Sequence, residues 1–426
     1  MEKSTIAIII IMIAVISFIL EKIPLAMTAA LAALAMGIFG IISPADVYKS
    51  FGSTATIMVA SMMIIGNAVF ENGLAQAMGK KILLLGLGKN QKLLIVVMTT
   101  FSIVASAFLS NSAVVAMLIP LIAFIVVKSN GNVENKFVLM AVGMGASAGG
   151  FCTLSGSTPQ MVAQEILSTT EGLHPMGYFE LAKVGAPLCI IMILYFATIG
   201  YTLQKREFNF EDVIPGIENM QILDEIQVPR WKMWFTGAVL ILCVIGFASG
   251  IWDLAIVAVL GVCALTISGC IEFKKALEGV DWNTIVILAM AQGFAKGLDQ
   301  SGAGVFIAEK LLSIFGGADA SAYVVLTVLI IVTVVLTNFM SNVAVISMIL
   351  PIGMSLAASL GVRIETFVIA LTIACQLATV TPIGTPCVTQ TLVGGYRYMD
   401  YVKIGGPVTI VQTIACIILV PLVYGF

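Results

Sequence analysis

Two short polar phrases set in apolar sequence hold the residues best suited to chemistry. Residues 106–120 read SAFLSNSAVVAMLIP and residues 337–351 read TNFMSNVAVISMILP. Each copy has a hydroxyl (Ser106, Thr337) four places before Ser-Asn, an alanine two places after the asparagine, and Met-x-x-Pro beyond. The centres are Ser110-Asn111-Ser112 and Ser341-Asn342-Val343. A helix that stops at such a point leaves free carbonyls, and a helix that starts there leaves free N–H groups. Carbonyl and hydroxyl oxygens suit a hard cation such as Na⁺, whereas helix N-termini suit an anion. Asparagine serves both, because its amide oxygen can coordinate a cation while its NH₂ donates to a carboxylate. One Ser-Asn alone would read as packing glue between membrane helices. Two in register point to a binding site built twice.

A second pair of phrases follows the first. Gly156-Ser157-Thr158-Pro159 and Gly384-Thr385-Pro386 interrupt apolar runs. Glycine permits close approach of carbonyls, and proline suits the first turn of a resuming helix. Ser157-Thr158 and Thr385 are expected to cap the helices that resume.

The elements that must position these phrases are membrane spans. Sixty per cent of residues are hydrophobic, a tenth are charged, and mean hydropathy is +1.08. So much apolar surface calls for lipid as solvent, and the fold class expected is an all-α polytopic membrane protein. Apolar runs at 6–20, 25–42 and 54–70 come first; the run 6–20 is long for a signal peptide and lacks a convincing cleavage site. After an amphipathic stretch at 71–92, the run 93–127 is too long for one span and is cut at Ser110-Asn111-Ser112, which predicts a re-entrant hairpin. A broken helix over 137–167 and a span from 181 to about 203 complete a first unit, 1–203.

A polar linker, 204–232, with Pro215 and Pro229, separates it from a second unit, 233–426. Spans at 234–249, 254–271 and 284–298, an amphipathic stretch, a hairpin at 323–360, a broken helix at 367–393 and a last span opening after Lys403 repeat the order. Even the approach to the last span recurs, as YFELAKVGAP (178–187) and YMDYVKIGGP (398–407). Two copies of one unit are expected, about ten transmembrane helices and two hairpins in all. Five crossings per unit is odd, so the second copy is expected upside down, the inverted-repeat plan of secondary transporters.

Charge bias orients the whole. Setting the linker inside collects there Lys22, Lys80, Lys81, Lys89, Lys92, Lys128, Lys136, Lys205, Lys232, Lys274, Lys275, Lys403, Arg206, Arg230 and Arg397. The other face keeps Lys3, Lys49, Lys183, Lys296, Lys310 and Arg363. The linker is therefore expected in the cytoplasm and both termini outside.

Several classes are disfavoured. The net charge of −2 comes with no basic patch that would bind nucleic acid. The eight cysteines form no CxxC and His174 is the one histidine, so neither a metal-ligand cluster nor a Cys/His catalytic set can be assembled. With no paired carboxylates either, the chain does not read as an enzyme, and no cofactor is expected. Asp281 and Asp299 sit at span ends and Glu165 well beyond Pro159. No carboxylate is placed at a tip to relay protons, which favours Na⁺ over H⁺ as coupling ion.

These phrases and their order resemble the divalent anion:sodium symporters, carriers of di- and tricarboxylates or sulfate, through nearly the whole chain. The resemblance implies a homodimer in the lipid bilayer with elevator motion, in which hairpins and broken helices carry substrate past a static scaffold. It implies one Na⁺ site at Ser106, Ser110, Asn111 and Gly156, and another at Thr337, Ser341, Asn342 and Gly384. It places the anion between Asn111-Ser112, Asn342-Val343 and the turns Thr158-Pro159 and Thr385-Pro386. The family's tips usually read Ser-Asn-Thr, so Ser112 keeps a hydroxyl that Val343 removes; the breaks show Gln160 and Cys387 where an asparagine is usual. An extra leading span of many members is also missing here. A proton-coupled or exchange-type carrier is the runner-up, and an ion channel a more distant one.

Overall fold

The structure, a computed structural model, describes residues 3–20, 22–73, 77, 90–129, 131–170, 172–215, 229–314 and 321–426. Lys80, Lys81 and Lys89 of the amphipathic stretch, and 216–228 of the linker, lie outside the described residues. Among the described residues every regular element is helical.

In the first unit α1 (Lys3–Leu20), α2 (Leu25–Ile38) and α3 (Thr54–Glu71) precede the pair α4 (Gln91–Ser106) and α5 (Asn111–Lys128). Then come α6 (Asn135–Gly149), α7 (Thr158–Thr169) and α8 (Ala182–Tyr195), which continues through a π-turn to Glu207. In the second unit α9 (Arg230–Ser249), α10 (Leu254–Ile267), α11 (Trp282–Gln300) and α12 (Ala303–Ile314) lead to the pair α13 (Ala322–Thr337) and α14 (Asn342–Ser359). They are followed by α15 (Ile364–Ala374), a short turn at Pro386–Thr389, and α16 (Tyr398–Tyr424).

This is a multi-pass membrane protein by composition and exposure. Among the described residues, six helical stretches of at least 18 residues are apolar enough to cross a bilayer. Trp234, Leu242 and Ile267 expose 68, 65 and 87% of their surfaces, which only lipid would leave without cost. By contrast α6 and α15 are buried on all sides: every residue from Phe137 to Gly149 and from Thr366 to Ala374 is covered by protein. Around that core α4 and α5 pack on α6, and α13 and α14 on α15. Elsewhere α2 packs on α11 and α3 on α10, so the second helix of each unit meets the third of the other.

The runs expected at 25–42 and 254–271 both end early, at Ile38 and Ile267. Gly40 and Gly269 adopt left-handed φ of 64° and 69°. The N–H groups of Ile41 and Cys270 turn back to the carbonyls of Met36 and Leu265, each at 2.9 Å, which closes the helices. The last helix, expected after Lys403, begins at Tyr398 because the Asp400 carboxylate accepts the Arg397 N–H (2.7 Å) and starts it there. The two broken segments are unequal: α7 has 12 residues, whereas its counterpart is the 4-residue turn Pro386–Thr389 followed by a 3₁₀ stretch.

The start of the linker is docked, not free. The Asp212 carboxylate accepts the N–H groups of Asn135 and Lys136, each at 2.8 Å, and so caps α6. Asn135 Nδ2 donates to Val213 O (2.7 Å), and the Tyr396 hydroxyl donates to Lys136 O (2.7 Å). Burial pushes the Asp212 carboxyl up from its ordinary value, against the two N–H donors that hold it down.

Candidate functional site

A cavity of about 510 Å³ lies where the tips of both helix pairs meet both interruptions. Ser110, Asn111, Ser112, Gly156, Thr158 and Pro159 line it from the first unit. Ser341, Asn342, Val343, Gly384, Thr385 and Pro386 line it from the second. Ser106 and Thr337 stand one layer behind, buried at the last residues of α4 and α13.

Each tip is held by a hydroxyl set against its asparagine amide. Ser106 Oγ donates to Asn111 Oδ1 (2.7 Å), and Thr337 Oγ1 faces Asn342 Oδ1 at 2.8 Å. Each interruption is clamped to its tip by a threonine, Thr153 donating to Ala107 O and Thr381 to Asn338 O. Glycine is required at the contacts: a Cβ on Gly156 would lie 2.9 Å from Gly150 O, and one on Gly384 would lie 2.3 Å from Thr337 O.

The Asn342 amide presents one end to three oxygens at once, Thr337 Oγ1 at 2.8 Å, Gly384 O at 3.0 Å and Cys375 O at 3.2 Å. Turned with its NH₂ inward, the amide donates to all three. With its oxygen inward, four oxygens converge around one hydroxyl proton, a donor set that suits a hard cation.

Three helix starts face the cavity, at Asn111, Asn342 and Thr158, and the short turn at Pro386 faces it as well. Ser157 and Thr385 were expected as caps, but neither makes a side-chain cap bond, and neither do Ser110 and Ser341. The Thr385 hydroxyl turns back to Ala378 O instead (3.4 Å). Ordinary capping occurs away from the cavity: Ser53, Asn90 and Asp253 cap α3, α4 and α10 with bonds of 3.3, 3.2 and 2.8 Å. The starts at the cavity therefore keep their partial positive charge unanswered by a side chain.

Some contributors escape a reading based on the duplicated phrases. Asn338 binds the second interruption along its length, donating to Leu377 O (3.1 Å) and accepting the Val380 N–H (2.9 Å). Gln160 donates to Gly150 O and reaches Gln376 Oε1 (3.4 Å), tying one interruption to the other. Asp281 lines the cavity from the opposite wall and is its one ionisable residue among those described. It spends its oxygens on the start of α11, accepting from Asn283 N (3.1 Å) and Thr284 Oγ1 (2.5 Å). No group of three or more His, Cys, Asp or Glu side chains gathers among the described residues. Glu165 on α7 is fully buried, and neither of its oxygens has a hydrogen-bond partner among the described residues.

The sequence profile of the citrate transporter family matches residues 15–374 and 253–426. An uncharacterised transporter of Methanocaldococcus jannaschii is 26% identical over 331 residues, 76% of this chain and 72% of the relative. The sodium-dependent dicarboxylate transporter SdcS of Staphylococcus saprophyticus is 23% identical over 442 residues, 96% of this chain and 83% of the relative. Among solved structures, MtrF of Neisseria gonorrhoeae, described as one of a class of antimetabolite efflux pumps, superposes with a TM-score of 0.66 at 14% identity. That superposition covers 99% of this chain and 95% of MtrF.

Proposed function

The chain belongs to the citrate transporter family and is a transporter, not an enzyme; from that premise we propose that it takes up a divalent organic anion, a di- or tricarboxylate, together with Na⁺. The observation that carries this reading is the set of three uncapped helix starts around one cavity. They attract an anion without any lysine or arginine among the described lining residues. The coupling cation would occupy the oxygens around Asn342 and, in the first unit, those around Ser106 and Asn111. Its positive charge, placed behind the tips, adds to the attraction for the anion. Na⁺ coupling is further supported by the likeness to SdcS.

The proposed movement is of the elevator type, in a homodimer, with two inverted units. Helices α4–α7 and α13–α15 pack about the cavity as one group, while α2, α3, α10 and α11 pack reciprocally. The first group would carry the site and the second would stay fixed. Reconstituted uptake tested with an imposed Na⁺ gradient across a panel of anions decides the coupling. Accumulation of a di- or tricarboxylate should follow the Na⁺ gradient and collapse with it. Uptake indifferent to that gradient would overturn the proposal.

One observation favours a second reading, proton coupling. The hydroxyls of Ser50 and Ser53 stand against the Glu165 carboxyl without closing to hydrogen-bond geometry, and Lys49 is the charged group that acts on it. A carboxyl so placed can carry a proton if α7 moves past that connection. Under Na⁺ coupling, Glu165→Gln keeps uptake driven by Na⁺ and leaves its dependence on external pH as in the parent. A variant that loses its response to an imposed pH gradient would favour the second reading.

A further inference from the structure

The two units align at their tips and interruptions, and the alignment exposes a difference in polarity. Ser110-Asn111 corresponds to Ser341-Asn342, and the residue that follows is Ser112 in one unit and Val343 in the other. Gly156 corresponds to Gly384, and the residue before it is Ser155 in one unit and Ile383 in the other. All four line the same cavity. At both positions where the first unit presents a hydroxyl, the second presents a β-branched hydrocarbon. Ile383 leaves 55% of its surface exposed there, and Val343 is half-buried. The opposite wall adds Met62 and Met63 of α3.

We infer that the cavity takes an organic anion with a hydrocarbon flank, bound with its charged end toward Ser112 and the first-unit interruption and its flank against Val343 and Ile383. This rests on the reading of the cavity as an anion-transport site. A short symmetric diacid offers a carboxylate to each unit; the one at the second unit reaches the α14 start but meets Val343 and Ile383 where the first unit has the hydroxyls of Ser112 and Ser155, so it is desolvated with fewer donors. A compact inorganic dianion has nothing to place against that wall. An alkyl-bearing carboxylate removes Val343 and Ile383 from water while leaving its charge at the polar side. The cavity, at about 510 Å³, falls in the range of roughly 300–1,000 Å³ usual for small-molecule sites and has room for such a substituent.

The test is competition for Na⁺-dependent anion binding to the full-length purified protein, using succinate and 2,2-dimethylsuccinate as probes. Each methyl group buried against the wall tightens binding by about fourfold, so the dimethyl compound should bind at least that much more tightly than succinate. Val343→Thr and Ile383→Thr keep the β-branched shape and install the hydroxyls of the first unit. Each should lower the ratio, and the double variant should bring it to one or below. The ratio is read within a single preparation, so partial loss of folded protein does not change it, and either single variant suffices if the double one is not recovered. Wild-type protein that binds succinate as tightly as its dimethyl derivative overturns the inference, and so does an unchanged ratio in the variants. Failure of both anions to bind, with or without Na⁺, overturns the transport reading and this inference with it.

Discussion

Asn111 and Asn342 illustrate why a neutral side chain can dominate a site meant for charges. Each opens a helix whose first N–H groups lack a side-chain cap, and each is steadied from behind by a hydroxyl, Ser106 or Thr337. Replacing either side chain by a methyl group removes the proposed cation ligand and the proposed anion donor together. In the first unit it also strands the Ser106 hydroxyl, and an unmet buried polar group costs about 1–3 kcal/mol; Thr337 keeps its bond to Cys375 O. Asn111→Ala and Asn342→Ala should each abolish Na⁺-driven uptake, while size-exclusion profile and helical circular dichroism stay those of the parent. Uptake within twofold of the parent at limiting Na⁺ would remove these residues from the proposed site. The phrases around the two asparagines were legible because they are duplicated. Asn338 and Gln376 were not, since their counterparts in the first unit carry different side chains and no repeat marks them.

At the scale of helices, the pair YFELAKVGAP and YMDYVKIGGP acquires a physical reason. A Cβ on Gly185 would lie 2.3 Å from Phe151 O, and one on Gly405 would lie 1.8 Å from Thr379 O. The final helix of each unit thus lies directly against the backbone of an interruption, and only glycine lets it approach. Gly185→Ala and Gly405→Ala should each lower thermal stability in detergent, at a cost of about 1–3 kcal/mol for forcing packed backbones apart. A thermal midpoint equal to the parent's for both would show that the helices can separate without penalty. The linker's Asp212 acts on another helix start, that of α6. Removal of a capping carboxylate costs about 1 kcal/mol. Asp212→Ala should therefore loosen the docked segment, read as faster amide exchange at 207–215 and at the first turn of α6. Unchanged exchange there would mean that Asn135 and Tyr396 hold the segment unaided.

For the whole molecule, the lysine bias and the count of five crossings per unit lead us to propose a cytoplasmic linker and external termini. Glu211 is exposed in the docked part of that linker. In a background lacking the exposed Cys263, a Glu211→Cys variant should resist an impermeant thiol reagent in intact cells and react in inverted vesicles; labelling from outside would reverse the orientation. That the chain lives in lipid and is built from helices followed from sequence alone, because apolar run length and composition are local properties that the bilayer reads directly; that it is a transporter followed from the duplicated phrases and the family resemblance they carry. Helix ends followed less well: the left-handed glycines at 40 and 269 stop helices inside runs that stay apolar for several residues more. Hydropathy does not sense a backbone torsion. The resemblance already set Asn111 and Asn342 at one site; what the tertiary structure alone decided is what joins them there. Asn111 and Asn342 lie in different units, Asp281 joins them from a helix of the opposite wall, and Ser157 and Thr385 leave their helix starts uncapped. Those outcomes depend on how buried helices pack against one another across the chain, a long-range balance of close contacts and unmet hydrogen bonds that no stretch of sequence carries by itself.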